Sequence, residues 1–148
     1  MNADACAKEL LDVVPVVMRF IRTEMRSHRT PGLSVPQFRA LMYVHRNKGV
    51  SLMSVSEHLG LTPPTTSILV DRLTRRALLR RAASPKDRRR ITLALTANGI
   101  KAMETTLRET QCRLAFVLEG LAPAEMRTVT QSMSFLRRIF SAVGHASR

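Results

Sequence analysis

The chain has 148 residues, enough for one domain with its own core; 45% are apolar, only 4% are aromatic, and Trp is absent. A core of Leu, Val, Ile, Met and Ala favours helices packed on helices. The formal net charge of +13, from 24 Lys and Arg against 11 Asp and Glu, calls for a polyanionic partner: nucleic acid first, an anionic membrane surface second.

No apolar run approaches the ~20 residues needed to span a bilayer. Met1-Asn2-Ala3-Asp4 does not start like a secretory leader. Two cysteines, Cys6 and Cys112, are too few for a disulfide framework and fit a reducing cytoplasm.

Apolar residues at helical spacing, Leu10, Leu11, Val14, Val17, Met18, Ile21 and Met25, predict a first helix over about 5–26. Pro15 lies inside it, which predicts a kink or a regular start at Val14. Arg29-Thr30-Pro31-Gly32 is a turn. Ser34 then reads as an N-cap with Gln37 reaching back to it, and Pro36 is tolerated in the first turn. That helix carries Phe38, Leu41, Met42 and Val44 and ends near Asn47-Lys48-Gly49. Ser51 caps a short helix with Val55 and Leu59 inward, closed by Gly60.

Thr62-Pro63 starts the next helix: Thr is a good N-cap, and Pro at the first helical position gives up an amide that had no partner. Its inward stripe is Thr66, Leu69, Val70 and Leu73. A hairpin follows, from Leu78-Leu79-Arg80-Arg81 through a tip around 84–88 to the strand 90–95, whose alternation at Ile91, Leu93 and Leu95 is expected to hold it against the body. Thr96-Ala97-Asn98-Gly99 opens a long helix with Ile100, Met103, Leu107, Leu114 and Leu118 on one face. After Leu121-Ala122-Pro123, a last helix aligns Met126, Val129, Met133, Leu136 and Phe140.

Two features of this plan carry chemistry. The segments 51–59 and 62–76, separated by Gly60-Leu61, form a helix-turn-helix, with the small Ser56 where the helices cross. Pro64, Thr65, Ile68 and Arg72 face away from the apolar stripe, where base edges would be read. Between Arg72 and Arg90, nine of 19 residues are Lys or Arg against the single acid Asp87. The window has apolar periodicity, so it is a structured surface and not a solvated tail.

Competing uses have less behind them. His28, His45, His58 and His145 show no metal-ligand spacing. The eight Met residues are expected as core and interface filler. Nothing in the sequence around Cys6 or Cys112 marks either as a reactive thiol. There is no Gly-rich phosphate loop, no Gly-x-Ser-x-Gly and no paired-carboxylate site. A membrane-binding helix would need bulky apolar anchors beside its cations, and none stands out.

Leu61-Thr62-Pro63-Pro64-Thr65, Leu69-Val70-Asp71-Arg72-Leu73, Leu78, Arg81, Ser84-Pro85-Lys86-Asp87-Arg88-Arg89 and Leu95-Thr96-Ala97-Asn98-Gly99 together closely resemble the MarR (multiple antibiotic resistance regulator) family. The resemblance covers 36–99 in detail and the flanking helices in outline. It implies a mainly α, winged helix-turn-helix fold with long N- and C-terminal dimerisation helices and a two-stranded wing. The segments 5–26, 99–120 and 123–143 would interleave with those of a second copy. In the family's Asp-x-Arg wing motif, here Asp87 and Arg89, the Arg enters the minor groove while the Asp shapes the tip; a narrow, electronegative groove suits Arg better than Lys.

The chain departs from the family pattern at three places. Ala77 stands where Gly is usual, which puts a left-handed helix cap in question. Ile68 replaces a commonly polar or basic residue and could contact a thymine methyl instead. Pro15 interrupts the first helix.

The expected division is 1–33 for an N-terminal dimerisation helix, 34–97 for the DNA-binding region and 98–148 for the C-terminal dimerisation helices. The expected DNA-contacting residues are Pro63, Pro64, Thr65, Ser67, Ile68, Arg72 and Arg75 on the recognition helix, Arg80 and Arg81 on the first strand, and Lys86, Asp87, Arg88, Arg89 and Arg90 in the wing. Family pockets lie between the dimer helices and the reading head, so Arg22, His28 and Arg39 are the candidate lining for a small-molecule effector. The expected protein is a cytoplasmic, nucleoid-associated homodimer that binds double-stranded DNA as a ligand-responsive repressor. It has no catalytic residues, metal, cofactor or membrane partner. The alternative is an architectural DNA-binding protein of low sequence specificity with no effector.

Overall fold

The computed structural model describes residues 2–27, 32–84 and 86–146, with side chains described as far as Val143. Among the described residues, six helices and two strands follow in order: α1 (Ala3–Arg26), α2 (Val35–Arg46), α3 (Leu52–Leu59), α4 (Pro63–Arg75), β1 (Leu79–Ala83), β2 (Ile91–Leu95), α5 (Ala97–Leu118) and α6 (Pro123–Ala146). The chain divides into two compact units, Met1–Thr110 and Gln111–Arg148.

Side chains at the helix starts supply partners for the amides that helix geometry leaves unpaired. Asn2 accepts from the amide of Ala5, Ser51 from Ser54 and Thr62 from Thr65. On α2 both halves of the Ser34–Gln37 capping box are made, at 3.0 and 3.3 Å. Of the two alternatives at Pro15, helix α1 excludes a regular start at Val14, because it is helical from Ala3 through that residue. The proline removes one amide, and the carbonyl deprived of it belongs to Leu11, an exposed position where solvent can replace the bond.

The end of α4 holds a second correction. Ala77 does adopt the left-handed conformation, at φ 55°. Its amide donates to the carbonyl of Thr74 and that of Leu78 to Leu73, the paired bonds of a Schellman cap. Thr96 holds the strained residue in place: its hydroxyl donates to the Ala77 carbonyl and accepts from the Gly99 amide. A side chain in this conformation costs roughly 1–2 kcal/mol, part of which glycine returns through its freer unfolded chain. Ala77→Gly is therefore expected to stabilise the fold by about 0.5–1 kcal/mol, read as a higher urea midpoint at unchanged slope. An unchanged or lower midpoint would contradict the strain.

The core of the first unit gathers Leu41 and Val44 of α2, Val55 of α3, Val70 and Leu73 of α4, and Leu79 and Leu93 of the hairpin. β1 and β2 pair antiparallel from Leu79↔Leu95 to Ala83↔Ile91. Val50 adds a single bridge to Leu93, whose amide donates to the Val50 carbonyl at 2.9 Å. Leu93 is buried, but Ile91 is 58% exposed. The expected anchoring alternation thus fails at its outer member, because the hairpin there has passed beyond the body it packs on.

Helix α5 buries Gly99, Met103, Thr106 and Thr110 within the single chain, while Leu107 on its expected apolar face is 45% exposed. Gly99 allows the close approach at the start of the helix: a Cβ there would lie 2.0 Å from the Leu78 carbonyl oxygen. In the second unit, α6 starts with Glu125 accepting from the Ala122 amide at 2.8 Å. Its expected stripe is in place along one face, yet Val129, Met133 and Phe140 are all exposed.

Candidate nucleic-acid interface

The reading head is assembled by short-range bonds. Ser56 of α3 is buried, and its hydroxyl donates to the Leu61 carbonyl at 2.6 Å, tying the turn between α3 and α4 to the preceding helix. Gly60, at φ 67°, makes that turn possible. On α4, the fully buried Thr66 donates to the Thr62 carbonyl, so the polar member of the inward stripe is satisfied within its own helix. The opposite face leaves Pro63, Pro64, Thr65, Ile68, Arg72 and Arg75 exposed, with Ser67 half-buried beside them. Arg76, just past the helix, turns inward and donates to Gln37 at 3.5 Å.

The hairpin is fastened to α4 by an ion pair between Arg81 on β1 and Asp71. Both partners are partly exposed, so the pair contributes at most about 1 kcal/mol, added to the burial of Leu79 and Leu93 beside Val70 and Leu73 that holds the hairpin against the body. Strand alternation sends the neighbouring Arg80 to the other side. There it borders a hollow of about 520 Å³ with His45, Lys48 and Ile100. Two consecutive arginines, assigned together from the sequence, thus occupy different faces.

Asp87 organises the tip. Its carboxylate accepts from the Arg89 amide at 3.0 Å and its carbonyl from Arg90 at 3.0 Å, while the Arg90 carbonyl accepts from Ser84 at 2.8 Å. The Ser84 hydroxyl takes the Lys86 amide. With the backbone so occupied, the side chains of Lys86, Arg88, Arg89 and Arg90 are left exposed. Arg88–Arg90 follow the single acid in sequence, and that acid is spent on backbone amides. Pro85 lies outside the described residues.

The effector candidates do not form one visible site. His28 lies outside the described residues, and Arg22 is exposed on α1. Arg39 donates to the His58 carbonyl at 3.3 Å and borders a hollow of about 430 Å³ with Phe38, Tyr43 and Arg46; the Tyr43 ring stacks on His58 at 4.2 Å. A different cavity, of about 460 Å³, escaped the sequence reading. It is lined by Leu33, Leu78, Ala102 and Thr105, with Arg76, Asn98, Lys101 and Glu109 supplying polar groups. Its walls come from three separate stretches of chain, so no local pattern announces it. Cys6 and Cys112 are both free and exposed. No group of metal-ligating side chains is found among the described residues, nor is any described helix long and apolar enough to cross a membrane.

Comparison with known proteins supplies independent findings. The MarR family model matches residues 32–90, the span from the start of α2 to the wing tip. The chain is 29% identical to the uncharacterised HTH-type transcriptional regulator YfiV of Bacillus subtilis, over 72% of this chain and 66% of that protein, just short of two thirds of its length. Its fold is that of RV1404 from Mycobacterium tuberculosis, with a TM-score of 0.82, 23% identity and 95% of each chain covered. It also resembles CouR from Rhodococcus jostii RHA1, solved bound to p-coumaroyl-CoA, with a TM-score of 0.70, 25% identity and 93% and 92% of the two chains covered.

Proposed function

Because the chain belongs to the MarR family of transcriptional regulators, we infer that it acts as a homodimeric, ligand-responsive repressor on a pseudo-palindromic operator in double-stranded DNA. The observation that carries this reading is the joining of two exposed basic elements, α4 and the wing, by the Asp71–Arg81 pair. Such a rigid unit presents a helix to the major groove and an Arg-tipped loop to the neighbouring minor groove. Arg75, Lys86, Arg88 and Arg90 bind phosphate, and Arg80 does so from the far side of the hairpin. Arg81 mainly orients the wing, and Arg89 enters the minor groove.

One reading head covers one half-site, so two copies are required to reach half-sites about 34 Å apart. Apolar surface for a second copy is plentiful. Leu11, Val14 and Val17 are exposed on α1, as are Phe116, Phe135 and Phe140 in the second unit. A monomer would leave these faces in water. Sedimentation should therefore give about twice the 16.6 kDa chain mass at micromolar concentration. A stable 16.6 kDa species would contradict the dimer.

The effector reading draws on CouR, a structural relative with a bound acyl-CoA ligand. The cavity bordered by Leu78 and Lys101 is the candidate on this reading, because it adjoins both the cap of α4 and the start of α5. A ligand there would shift α4 relative to the dimer helices and weaken operator binding. This reading is non-enzymatic, and it places the protein on the nucleoid in the cytoplasm.

The test is binding at one fixed salt concentration to sequences selected from random DNA and to unselected DNA. A regulator prefers its selected site by 10³-fold or more. A ratio near one would instead identify an architectural protein. On the selected site, Arg89→Ala is expected to lose about 1–3 kcal/mol, with the larger loss where the flanks are rich in A·T. Equal loss on all flanks would mean the wing grips phosphate only.

A further inference from the structure

The outer face of α4 carries an apolar side chain at its centre. Ile68 is 55% exposed, although residues on the opposite face of the same helix, Thr66, Val70 and Leu73, are fully buried. Pro64 lies one turn before it and Arg72 one turn after it, each four residues away and so on nearly the same face. Arg72 is exposed and takes part in no ion pair among the described residues. Ile68 has a β-branched side chain with one strongly preferred rotamer in a helix, so it presents a fixed apolar knob. Its inner edge borders a hollow lined also by Leu61 and Leu69.

We propose that Ile68 packs against the 5-methyl group of a thymine in each operator half-site, beside a guanine read by Arg72. The assignment rests on the regulator reading above and names the bases it implies. The major groove displays one apolar group, the thymine methyl, and a guanine displays two acceptors that match a guanidinium fork. Four residues of helix advance by ~6 Å, and successive base pairs by ~3.4 Å. The thymine and the guanine are therefore about two base-pair steps apart along the groove. Thr65, a turn before Ile68 on the exposed face, adds a second methyl-bearing side chain on the same approach.

The experiment uses the full-length wild-type protein and its site selected from random DNA. Each thymine of a half-site is replaced in turn by deoxyuridine, which removes only the methyl group. One position, about two steps from a guanine, should lower affinity about fourfold, the value of one buried methyl. Changing it in both half-sites should lower affinity about fifteenfold. Ile68→Ala should bind the thymine and deoxyuridine sites alike. Its fold should be intact, because the residue is exposed, and a circular-dichroism melt at the wild-type temperature checks this. Arg72→Ala should lose the guanine preference and keep the response to deoxyuridine. Equal wild-type affinity for thymine and deoxyuridine at every position overturns the proposal and leaves the regulator reading standing. So does an Ile68→Ala protein that still discriminates. If selection enriches no sequence at all, the proposal and the regulator reading fall together.

Discussion

Gly99→Ala is expected to destabilise the protein by about 3 kcal/mol or more, at the upper end of what overpacking costs. The new methyl carbon would stand 2.0 Å from the Leu78 carbonyl oxygen, and the obstacle is backbone, which cannot rotate aside. Relief requires α5 to withdraw from the turn after α4. That withdrawal would pull on three bonds made by Thr96: its amide to the same Leu78 carbonyl at 3.2 Å, its hydroxyl to Ala77, and its acceptance of the Gly99 amide. The left-handed Ala77 would lose its restraint as well. Urea denaturation at fixed protein concentration measures the loss, since the stability of the proposed dimer would depend on concentration. A cost below about 1 kcal/mol would show that α5 can slide at this junction. The same variant should bind DNA less well even where it remains folded, because Leu78 leads directly into β1.

Operator binding should fall by about 10⁵ between 50 and 200 mM salt. Each protein–phosphate contact releases a counterion on binding, and the log–log slope is about −0.9 for each phosphate neutralised. Arg75, Arg80, Lys86, Arg88 and Arg90 are all exposed, so on the proposed dimer about five contacts from each copy, or about ten in all, give a slope near −9. Arg81 is left out of that sum because Asp71 already compensates part of its charge. Titrations at four or five salt concentrations determine the slope. A value shallower than −3 would remove the basic window from the interface. Arg88→Gln, which takes one contact from each subunit, should reduce the slope by about 2.

What could be read from the residues alone was local. The capping box of Ser34 and Gln37, the Thr62-Pro63 start of α4, the Gly60 turn and the two-stranded hairpin each depend on groups within a few positions of one another, and all are present as expected. The exposed face of α4 was legible too, because helical periodicity assigns the inward and outward sides independently of the partner. Asp87 was placed at the wing tip by the family resemblance, and its bonds to the Arg89 and Arg90 amides lie within three residues.

Contacts between distant segments decided the rest. Ala77 looked unsuited to a left-handed cap, and only Thr96, nineteen residues on, shows how the strain is held. Pro15 left open a helix that begins only at Val14, but losing one amide on an exposed helix face costs less than giving up the turns before it. Ile91 followed the strand alternation of Leu93 but has no body beside it. Arg80 and Arg81 are adjacent on a strand, so alternation alone puts them on opposite sides of the hairpin, and only the structure shows that Arg81 is the one facing Asp71 on α4. Sequence alone determined the reading head, whose rules operate within a helical turn. Tertiary structure determined the close approach of α5 to Leu78, the packing of the hairpin on the core and the cavity beneath the α4 cap, because each depends on where remote stretches of backbone come into van der Waals contact.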